Sequence, residues 1–268
     1  MLLPLWFPKL SARALLSVLL LTPISLTAEP QPLAPVTLPQ TEPSAFPAGK
    51  AVFQEQDGLL VIEAEHFAAQ AQTEKRRWYL FNEQVSPDIS PDADPPHLED
   101  AGGEAYLEIL PDTRVTHADP MRFGTNFANA PGRLAILTYL AEFTQPGRYY
   151  VWVRAHSTGT EDNGIHVGLN GAWPESGRRM QWCEGKRRWW WESKQRTEEK
   201  HCGVPGAIFL EIEEPGLHRI HFSMREDGFE FDRFLLTTDA DFPRPADVGP
   251  PESPSVIPTS DPAIAATR

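Results

Sequence analysis

The sequence is poor in the features that mark most enzymes and most membrane or nucleic-acid partners. It contains only two cysteines, and acidic side chains outnumber basic ones, giving a formal net charge of −13 at pH 7. A surface of that sign repels phosphate backbones and anionic lipids, so nucleic-acid and membrane partners are disfavoured. No phosphate-binding loop, dinucleotide-binding glycine run, nucleophile elbow or zinc-protease helix motif occurs. The sequence therefore gives little reason to predict an enzyme.

The N-terminal segment has the order of a secretory signal peptide. Lys9 and Arg13 give it a positive start, and residues 14–21 form an apolar run too short to span a bilayer as a helix. Small residues follow up to Ala28, where the sequence turns polar. We predict a signal peptide over residues 1–28, a secreted or periplasmic protein, and no membrane span after its removal. An uncleaved N-terminal anchor is the alternative.

Proline is abundant at both ends of the remaining chain. The sequence has 27 prolines, and they are dense in residues 29–50 and 243–268. Because proline lacks an amide hydrogen and fixes its own backbone angle, such segments favour extended, solvated chain. We predict a disordered linker over 29–50, a disordered C-terminal tail over 243–268, and one folded domain over 51–242. We expect this domain to be a monomer.

The two cysteines, Cys183 and Cys202, bracket a charged loop. In an exported protein an even pair predicts a disulfide. Two buried free thiols are the alternative, and the spacing of His and Cys completes no tetrahedral metal site.

Alternation of apolar and polar residues dominates the middle of the chain and predicts about nine strands. Helical periodicity is considered only for residues 67–77. The run of residues 134–143 meets the run of 148–155 at Pro146-Gly147, which predicts two antiparallel strands joined by a tight turn. The whole pattern predicts an all-β fold, a jelly-roll β-sandwich of two sheets. The remaining predicted strands are 59–65, 105–110, 165–169, 189–191, 207–212, 216–224 and 229–236.

One predicted strand has a clear apolar face and a clear polar face. Ile220, Phe222 and Met224 share one side, whereas His221 and Arg225 share the other. We predict that the first side is buried and the second is in water, as in antiparallel sandwiches. A surface role then suffices for His221, and likewise for the histidine at position 166.

Three acidic residues could meet at one place. Glu63 and Glu65 lie two apart on a predicted strand, so their side chains point to the same face. Asp232 lies among aromatic residues near the end of the last strand, where a carboxylate needs a partner. The two glutamates alone fit an acid and base for glycoside cleavage, ligands for calcium, or a solvated strand edge. If the first and last strands are neighbours, all three carboxylates could surround one ion.

Candidate sugar contacts occur in a tryptophan run and in polar loops. Trp189-Trp190-Trp191 places at least one indole in the core, and an exposed indole would suit the apolar face of a pyranose ring. Packing of all three indoles is the alternative, as turn chemistry is for the polar loops. Asp, Asn and Arg side chains suit sugar hydroxyls, uronates or sulfates. The predicted carbohydrate contacts are Arg154, His156, Asp162, Asn163, Trp189, Trp191, Arg225, Glu226 and Asp227.

Several motifs, in their order along the chain, resemble one family of modules. They are Glu63-Ala64-Glu65, Pro146 to Arg154, Val167 to Gly171, Arg225 to Gly228, Phe231-Asp232, and Leu235 to Asp239 followed by Gly249 to Ser253. This set resembles carbohydrate-binding modules of the family 6 and family 35 type, and most closely the C-terminal domain of family 115 glycoside hydrolases. The resemblance covers about residues 58–253 and implies a galactose-binding-like sandwich with a structural calcium. Carried over, the calcium ligands are Glu63, Glu65 and Asp232. Two departures are the long acidic insert at 76–100 and the basic, cysteine-bearing stretch at 177–202.

The sequence thus predicts an exported, non-catalytic protein that binds a polysaccharide or oligosaccharide, such as a plant- or algal-type polysaccharide. A polysaccharide lyase or hydrolase on the same scaffold is one alternative, with Arg154, His156 and Arg225 as its candidate residues. A cell-surface module that binds protein is another. Neither the sugar nor its linkage follows from these residues.

Overall fold

The computed structural model describes residues 49–71, 76–92 and 94–258. The chain divides into two units, Met1–Pro32 and Leu33–Arg268, and the described residues belong to the second. The predicted signal peptide and most of the predicted linker lie outside the described residues. Among the residues that are described, no helix is long and apolar enough to cross a membrane.

The described part is built from fourteen strands and three short 3-10 turns. The turns are Ala64–His66, Gly102–Glu104 and Glu175–Gly177. The strands are β1 Val52–Gln54, β2 Leu59–Glu63, β3 Ala69–Ala71, β4 Arg77–Asn82, β5 Ala105–Leu110, β6 Ile136–Phe143, β7 Gly147–His156, β8 Gly164–Leu169, β9 Met180–Gln181, β10 Trp190–Glu192, β11 Phe209–Ile212, β12 Gly216–Met224, β13 Glu230–Thr237 and β14 Ser255–Val256. The all-β prediction is confirmed. Where a helix was considered, at residues 67–77, the described chain instead forms β3 and the start of β4.

Two seven-stranded sheets face each other. In the first sheet the order is β14-β1-β6-β12-β8-β9, with β3 also paired to β6; in the second it is β10-β7-β13-β5-β4, with β11 on β7 and β2 on β13. Every pairing between these described strands is antiparallel except that of β1 with β6. The predicted sandwich is therefore confirmed, and the opening strand β2 does lie beside the last long strand β13.

The connection at Pro146-Gly147 differs from the predicted hairpin, because it joins strands of different sheets, and so does the connection before Gly216. Pro146-Gly147 joins β6 in the first sheet to β7 in the second, and Gly216 starts β12 in the first sheet after β11 in the second. The prediction of a hairpin at Pro146-Gly147 was wrong. Alternation along a strand reveals which residues face the core, but not which sheet the strand joins.

The core fills the space between the sheets. Val151, Val153 and Ala155 of β7 are fully buried and point inward. Because successive side chains on a strand point to opposite faces, Trp152, Arg154 and the other even-numbered residues of β7 point outward. This alternation puts the functional candidates of β7 on the outer face of the second sheet.

The folded domain extends past residue 242. β14 pairs with β1, and the Ser253 backbone amide donates to the Val61 carbonyl at 2.9 Å. The Glu252 carboxylate accepts a hydrogen bond from the Glu63 amide at 2.8 Å. The predicted C-terminal tail therefore contains a segment that packs on the opening strands, and the domain reaches at least residue 256.

The polar side of β12 is also covered. His221 and Arg225 are buried, and the Trp173 ring lies 6.0 Å from the His221 ring. Burial lowers the pKa of His221 to about 4 and that of His166, on the neighbouring β8, to about 3. The prediction of surface roles for both histidines was wrong, because chain segments outside the strands cover this face.

Candidate functional site

A cleft of about 830 Å³ lies over the outer face of the second sheet. β7 contributes Arg154 and His156, the region of β10 contributes the tryptophan run, and two loops complete the wall. The lining residues are Pro96, His97, Glu99, Asp100, Arg154, His156, Arg187, Arg188, Trp189, Trp190, Trp191, Arg244, Pro245, Ala246, Asp247 and Val248. Four of the predicted carbohydrate contacts, Arg154, His156, Trp189 and Trp191, therefore line one cavity.

The tryptophans differ in what they present to this cleft. Trp189 is 9% exposed, and its indole N–H donates to the carbonyls of His97 and Glu99 at 3.1 Å each. Trp191 is 2% exposed and donates to the Asp247 carbonyl at 3.1 Å. Both indoles are packed into the wall and hold the two loops, so neither forms an exposed platform.

Trp190 carries cations on its ring instead. The guanidiniums of Arg188 and Arg244 each lie 4.3 Å from the Trp190 ring centroid. Its indole N–H is buried and makes no hydrogen bond within the described part of the chain. A ring against the face of a guanidinium leaves the N–H donors at its edge for other partners. In Arg244 these donors already meet the chain: Nε donates to the Trp191 carbonyl at 3.1 Å, and Nη2 lies 3.7 Å from Glu184 and 3.9 Å from Glu192. Neither arginine is among the nine predicted contacts, although Arg188 ends a basic patch, residues 178–188, that already suggests an anionic ligand or else a solvated charged loop.

Arg154 is tied to the sheet beneath the cleft. Its Nη1 donates to Asp232 Oδ2 at 2.6 Å, and both residues are buried. Asp232 Oδ1 accepts the Gly102 amide at 2.6 Å. Burial raises the pKa of Asp232 to about 6, while the charge and hydrogen bond of Arg154 act in the opposite direction.

The other five predicted contacts form a buried group that we call the loop knot: Asp162, Asn163, Arg225, Glu226 and Asp227. None is more than 5% exposed. Asp227 accepts hydrogen bonds from Arg76 Nη2 at 2.7 Å and from the Thr113 amide at 3.0 Å.

Asp162 and Glu226 have similar internal partners. Asp162 accepts from Ser157 Oγ and from two backbone amides, and Glu226 accepts from the Asn163 amide at 3.0 Å and from Arg225. These contacts hold loops to one another. Arg225 also lines a cavity of about 300 Å³ that is separate from the cleft.

The three predicted calcium ligands converge on one turn. A Cβ atom built on Gly103 would lie 2.9 Å from Glu65 Oε1 and 3.6 Å from Glu63 Cδ, and one built on Gly102 would lie 2.9 Å from Asp232 Oδ1. Glu65 follows the end of β2, in a 3-10 turn, so the prediction that it shares a strand face with Glu63 was wrong.

Of these three carboxylates, only Glu65 lacks an arginine partner within the part of the chain that the structure describes, so the group fits a hard cation only in part. Glu65 Oε2 is buried without a hydrogen-bond partner among the described residues, and burial raises the pKa of Glu65 to about 7, with the charges of Asp232 and Glu252 adding to the rise. Glu63 already pairs with Arg233, whose Nε donates to Glu63 Oε2 at 2.9 Å. A bound cation could contact the unsatisfied oxygen of Glu65, whereas arginines already neutralise Glu63 and Asp232.

Two other sets in the described part of the chain bring one ligand atom from each of three residues within 4.8 Å of one another. They are His97, His156 and Glu230, and Asp92, Asp94 and Glu108. Glu63, Glu65 and Asp232 are not among these sets. Glu230 was not predicted as a site residue, although a carboxylate between Phe229 and Phe231 needs a partner as much as Asp232 does.

The disulfide between Cys183 and Cys202 is confirmed, with 5.4 Å between the two Cα atoms. It closes the basic segment that carries Arg187, Arg188 and the tryptophan run. This wall of the cleft is thereby crosslinked at its two ends.

Comparison with known proteins finds a clear relative in sequence. No family model matches the chain. The uncharacterized protein P23 of Formosa agariphila is 55% identical over 203 residues, which is 76% of this chain and 49% of that protein. The chain thus spans about half the length of this relative.

Solved structures that are similar include a mannanase and a carbohydrate-binding module. A GH26-CBM35 β-(1,4)-mannanase of Podospora anserina matches with a TM-score of 0.38 and 13% identity, over 70% of this chain and 29% of that one. A family 35 carbohydrate-binding module of Clostridium thermocellum matches with a TM-score of 0.34 and 11% identity, over 68% of this chain and 98% of that one. The resemblance to family 35 modules and the narrower one to family 115 hydrolases stay predictions.

Proposed function

We propose that the protein is an exported carbohydrate-binding protein whose ligand occupies the cleft over the second sheet. The observation that carries this proposal is the composition of the cleft wall. Four arginines and two histidines line it, against the acidic side chains of Glu99, Asp100 and Asp247. On a protein of net charge −13, a lining in which arginines outnumber carboxylates distinguishes this cleft from the rest of the surface. The sequence resemblance to carbohydrate-binding modules supports a glycan as the ligand.

The chemistry of the wall favours a glycan that carries uronate or sulfate groups. Arg188 presents a planar set of donors that fits a carboxylate or sulfate with two parallel hydrogen bonds. Arg244, whose Nε already donates to the Trp191 carbonyl, adds a second positive charge. The Trp190 ring holds both guanidiniums in place. Preorganised donors lose less conformational freedom on binding, which strengthens affinity.

Export agrees with the disulfide, since disulfides persist in oxidising compartments. The predicted signal peptide supports the same conclusion. Export then places the cleft where extracellular polysaccharide is found.

The test is binding of uronate-containing, sulfated and neutral polysaccharides by isothermal titration calorimetry. Arg188→Gln removes one stacked guanidinium, and we expect it to weaken binding of the anionic glycan by roughly tenfold or more, as for loss of a charged hydrogen bond. Arg148→Gln is the matched control, because Arg148 also stacks on an aromatic ring, Phe209 at 3.8 Å, away from the cleft. Absence of binding to every glycan by the wild type would overturn the proposal.

Cleavage of the glycan is a second candidate function. Arg154 and His156 line the same cleft, and Glu230 lies 3.5 Å from His156, an arrangement that a lyase or hydrolase could use. The binding samples from the first experiment can be analysed for released oligosaccharides. If oligosaccharides are released by the wild type but not by His156→Gln, the protein is an enzyme. If the glycan is bound but stays intact, the protein only binds it.

We also propose a structural calcium held by Glu63, Glu65 and Asp232, with Glu65 Oε2 as the oxygen that lacks another partner among the described residues. In the calcium-free chain Glu65 keeps a proton when folded at pH values where an unfolded Glu has lost it. Its contribution to stability therefore falls as pH rises from about 4.5 to about 7. A bound cation favours the deprotonated form of Glu65, so with calcium present this loss of stability with rising pH should disappear.

Melting temperatures with excess calcium and with chelator, from pH 4.5 to 8, check this. We expect calcium to raise the melting temperature most above pH 7, and Glu65→Gln to abolish the effect. Glu55→Gln, which changes a buried carboxylate elsewhere in the domain, should retain it. A wild-type melting temperature that ignores both calcium and chelator contradicts the calcium proposal alone.

A further inference from the structure

A second cluster of ligand-type side chains lies where the cleft meets the outer face of the second sheet. Glu230 of β13 pairs in register with His156 of β7 on one side and with Glu108 of β5 on the other. Directly paired residues on adjacent strands point to the same face, so these side chains form a row. His97 comes from the loop above: its Nδ1 lies 2.8 Å from Glu230 Oε1, and its ring stacks on the His156 ring at 3.7 Å.

Two buried atoms in this cluster have no hydrogen-bond partner in the described part of the chain. His156 Nδ1 lies 3.5 Å from Glu230 Oε1 without forming a hydrogen bond, and Glu230 Oε2 is likewise without a partner. The side chains of His156 and Glu230 are 5% and 2% exposed. Native structures rarely leave such atoms unsatisfied, and a bound ion is one explanation where they occur.

The surrounding charge also favours a cation. Asp92, Asp94 and Glu108 form the neighbouring acidic set, and Glu108 Oε1 is buried with no hydrogen-bond partner among the residues described. Glu230 has His97 as its hydrogen-bonded partner beside these carboxylates. That hydrogen bond raises the pKa of His97, so a metal ion bound here would take the place of the proton that the two side chains share.

From these contacts we propose that His97, His156 and Glu230 bind a divalent transition-metal ion such as Zn²⁺, with one coordination position open to the cleft. Two imidazole nitrogens and one carboxylate oxygen are a donor set typical of zinc, whereas calcium prefers oxygen alone. With metal–ligand bonds of about 2.1 Å, tetrahedral ligand atoms lie about 3.4 Å apart. The observed separations of 2.8 and 3.5 Å from Glu230 Oε1 lie on either side of that value.

One adjustment is required, because a metal must lie near the plane of each imidazole and these two rings are stacked. The His97 side chain is 24% exposed and therefore has room to rotate. Its backbone is held on both sides: its amide donates to Tyr106 Oη and its carbonyl accepts from Trp189 Nε1, each at 3.1 Å. The loop thus fixes the backbone of His97, and its ring would turn towards the ion by giving up its hydrogen bond to Glu230.

The open position follows from where the two histidines lie. Both line the cleft that we propose for the glycan, so a water molecule or an anionic ligand group can complete the coordination. Three protein ligands with one open position are typical of zinc sites that act on or hold a ligand, whereas structural sites use four protein ligands. The metal site does not depend on the glycan proposal, since it is tested by metal binding alone.

The experiment uses the full chain without a histidine tag, treated with chelator and titrated with Co²⁺ and then Zn²⁺. We expect one equivalent of Co²⁺ to give visible d–d absorption that Zn²⁺ abolishes and that excess Ca²⁺ leaves unchanged. His97→Gln and Glu230→Gln should each weaken Zn²⁺ binding by more than about tenfold, since even indirect partners of a metal cost that much. His97 is in a surface loop, so this variant decides the question if Glu230→Gln fails to fold.

His117→Gln is the control, because His117 also pairs with a glutamate, Glu161, but lies outside the cluster. It should bind Zn²⁺ as the wild type does, and so should Glu65→Gln. The proposal is overturned if the wild type binds no stoichiometric Co²⁺ or Zn²⁺, or if folded His97→Gln binds them as tightly as His117→Gln.

Discussion

The loop knot and the wall of the cleft contain the same kinds of residues but differ in where their hydrogen bonds go. In the loop knot, both oxygens of Asp162 and of Glu226 and Oδ2 of Asp227 accept hydrogen bonds from amides, hydroxyls or guanidiniums of the same chain, and only Asp227 Oδ1 lacks a partner among the described residues. In the cleft, the indole nitrogen of Trp190 and Nδ1 of His156 have no such partner among the described residues. Residue type alone therefore does not distinguish a group that binds a ligand from one that holds loops together. The distinction lies in whether the folded chain already satisfies the group.

The largest expected effect comes from breaking the loop knot. Asp227→Ala removes the buried carboxylate that pairs with Arg76 and also accepts from Thr113. Breaking a buried ion pair by removing one partner costs about 3–5 kcal/mol. Urea denaturation should show this loss. Glu211→Ala, which breaks the half-exposed pair with Arg148, should cost at most about 1 kcal/mol; equal losses in both variants would contradict the contrast.

A smaller effect is expected from removing the disulfide that crosslinks the wall of the cleft. The disulfide joins residues 19 apart in sequence, and closing a loop of that size restricts the unfolded chain by about 3 kcal/mol. We expect Cys183→Ala with Cys202→Ala to lower the free energy of unfolding by about that amount. Glycan affinity should fall as well, because the segment that bears Arg188 loses its anchor. An unchanged affinity would mean that the tryptophan contacts alone position this wall.

The smallest effect on stability is expected from the cleft arginines. Arg188→Gln should change the free energy of unfolding by about 0.5 kcal/mol or less, as surface substitutions usually do. The same variant should weaken glycan binding by roughly tenfold in calorimetric titrations. A stability loss comparable to that of Asp227→Ala would show that the wall, like the loop knot, is structural.

Much of the fold could be predicted because alternation along a strand is a local property. β5 and β12 have the predicted bounds, and β7 and β13 lie within one residue of theirs. Short strands such as β1, β9 and β14 were missed, since two or three residues do not establish a period. The sheet to which each strand belongs was not predictable from a turn, as β6 and β7 demonstrate.

The site was predictable only in part. Arg154 and His156 were found because they alternate with core residues at the end of a long strand. Glu230 and His97 were missed, because their meeting depends on a loop that folds back over the second sheet. Arg244 was assigned to a disordered tail, since a proline-rich segment carries no sign of the surface on which it packs.

The two ends of the described domain leave the sandwich together. The Gly49 amide donates to the Pro258 carbonyl at 3.2 Å, next to the pairing of β1 with β14. A domain whose ends are adjacent can be inserted into a loop of another protein or carried in tandem without unravelling its own strands. That exit lies at an edge of the first sheet, whereas the cleft lies over the second sheet.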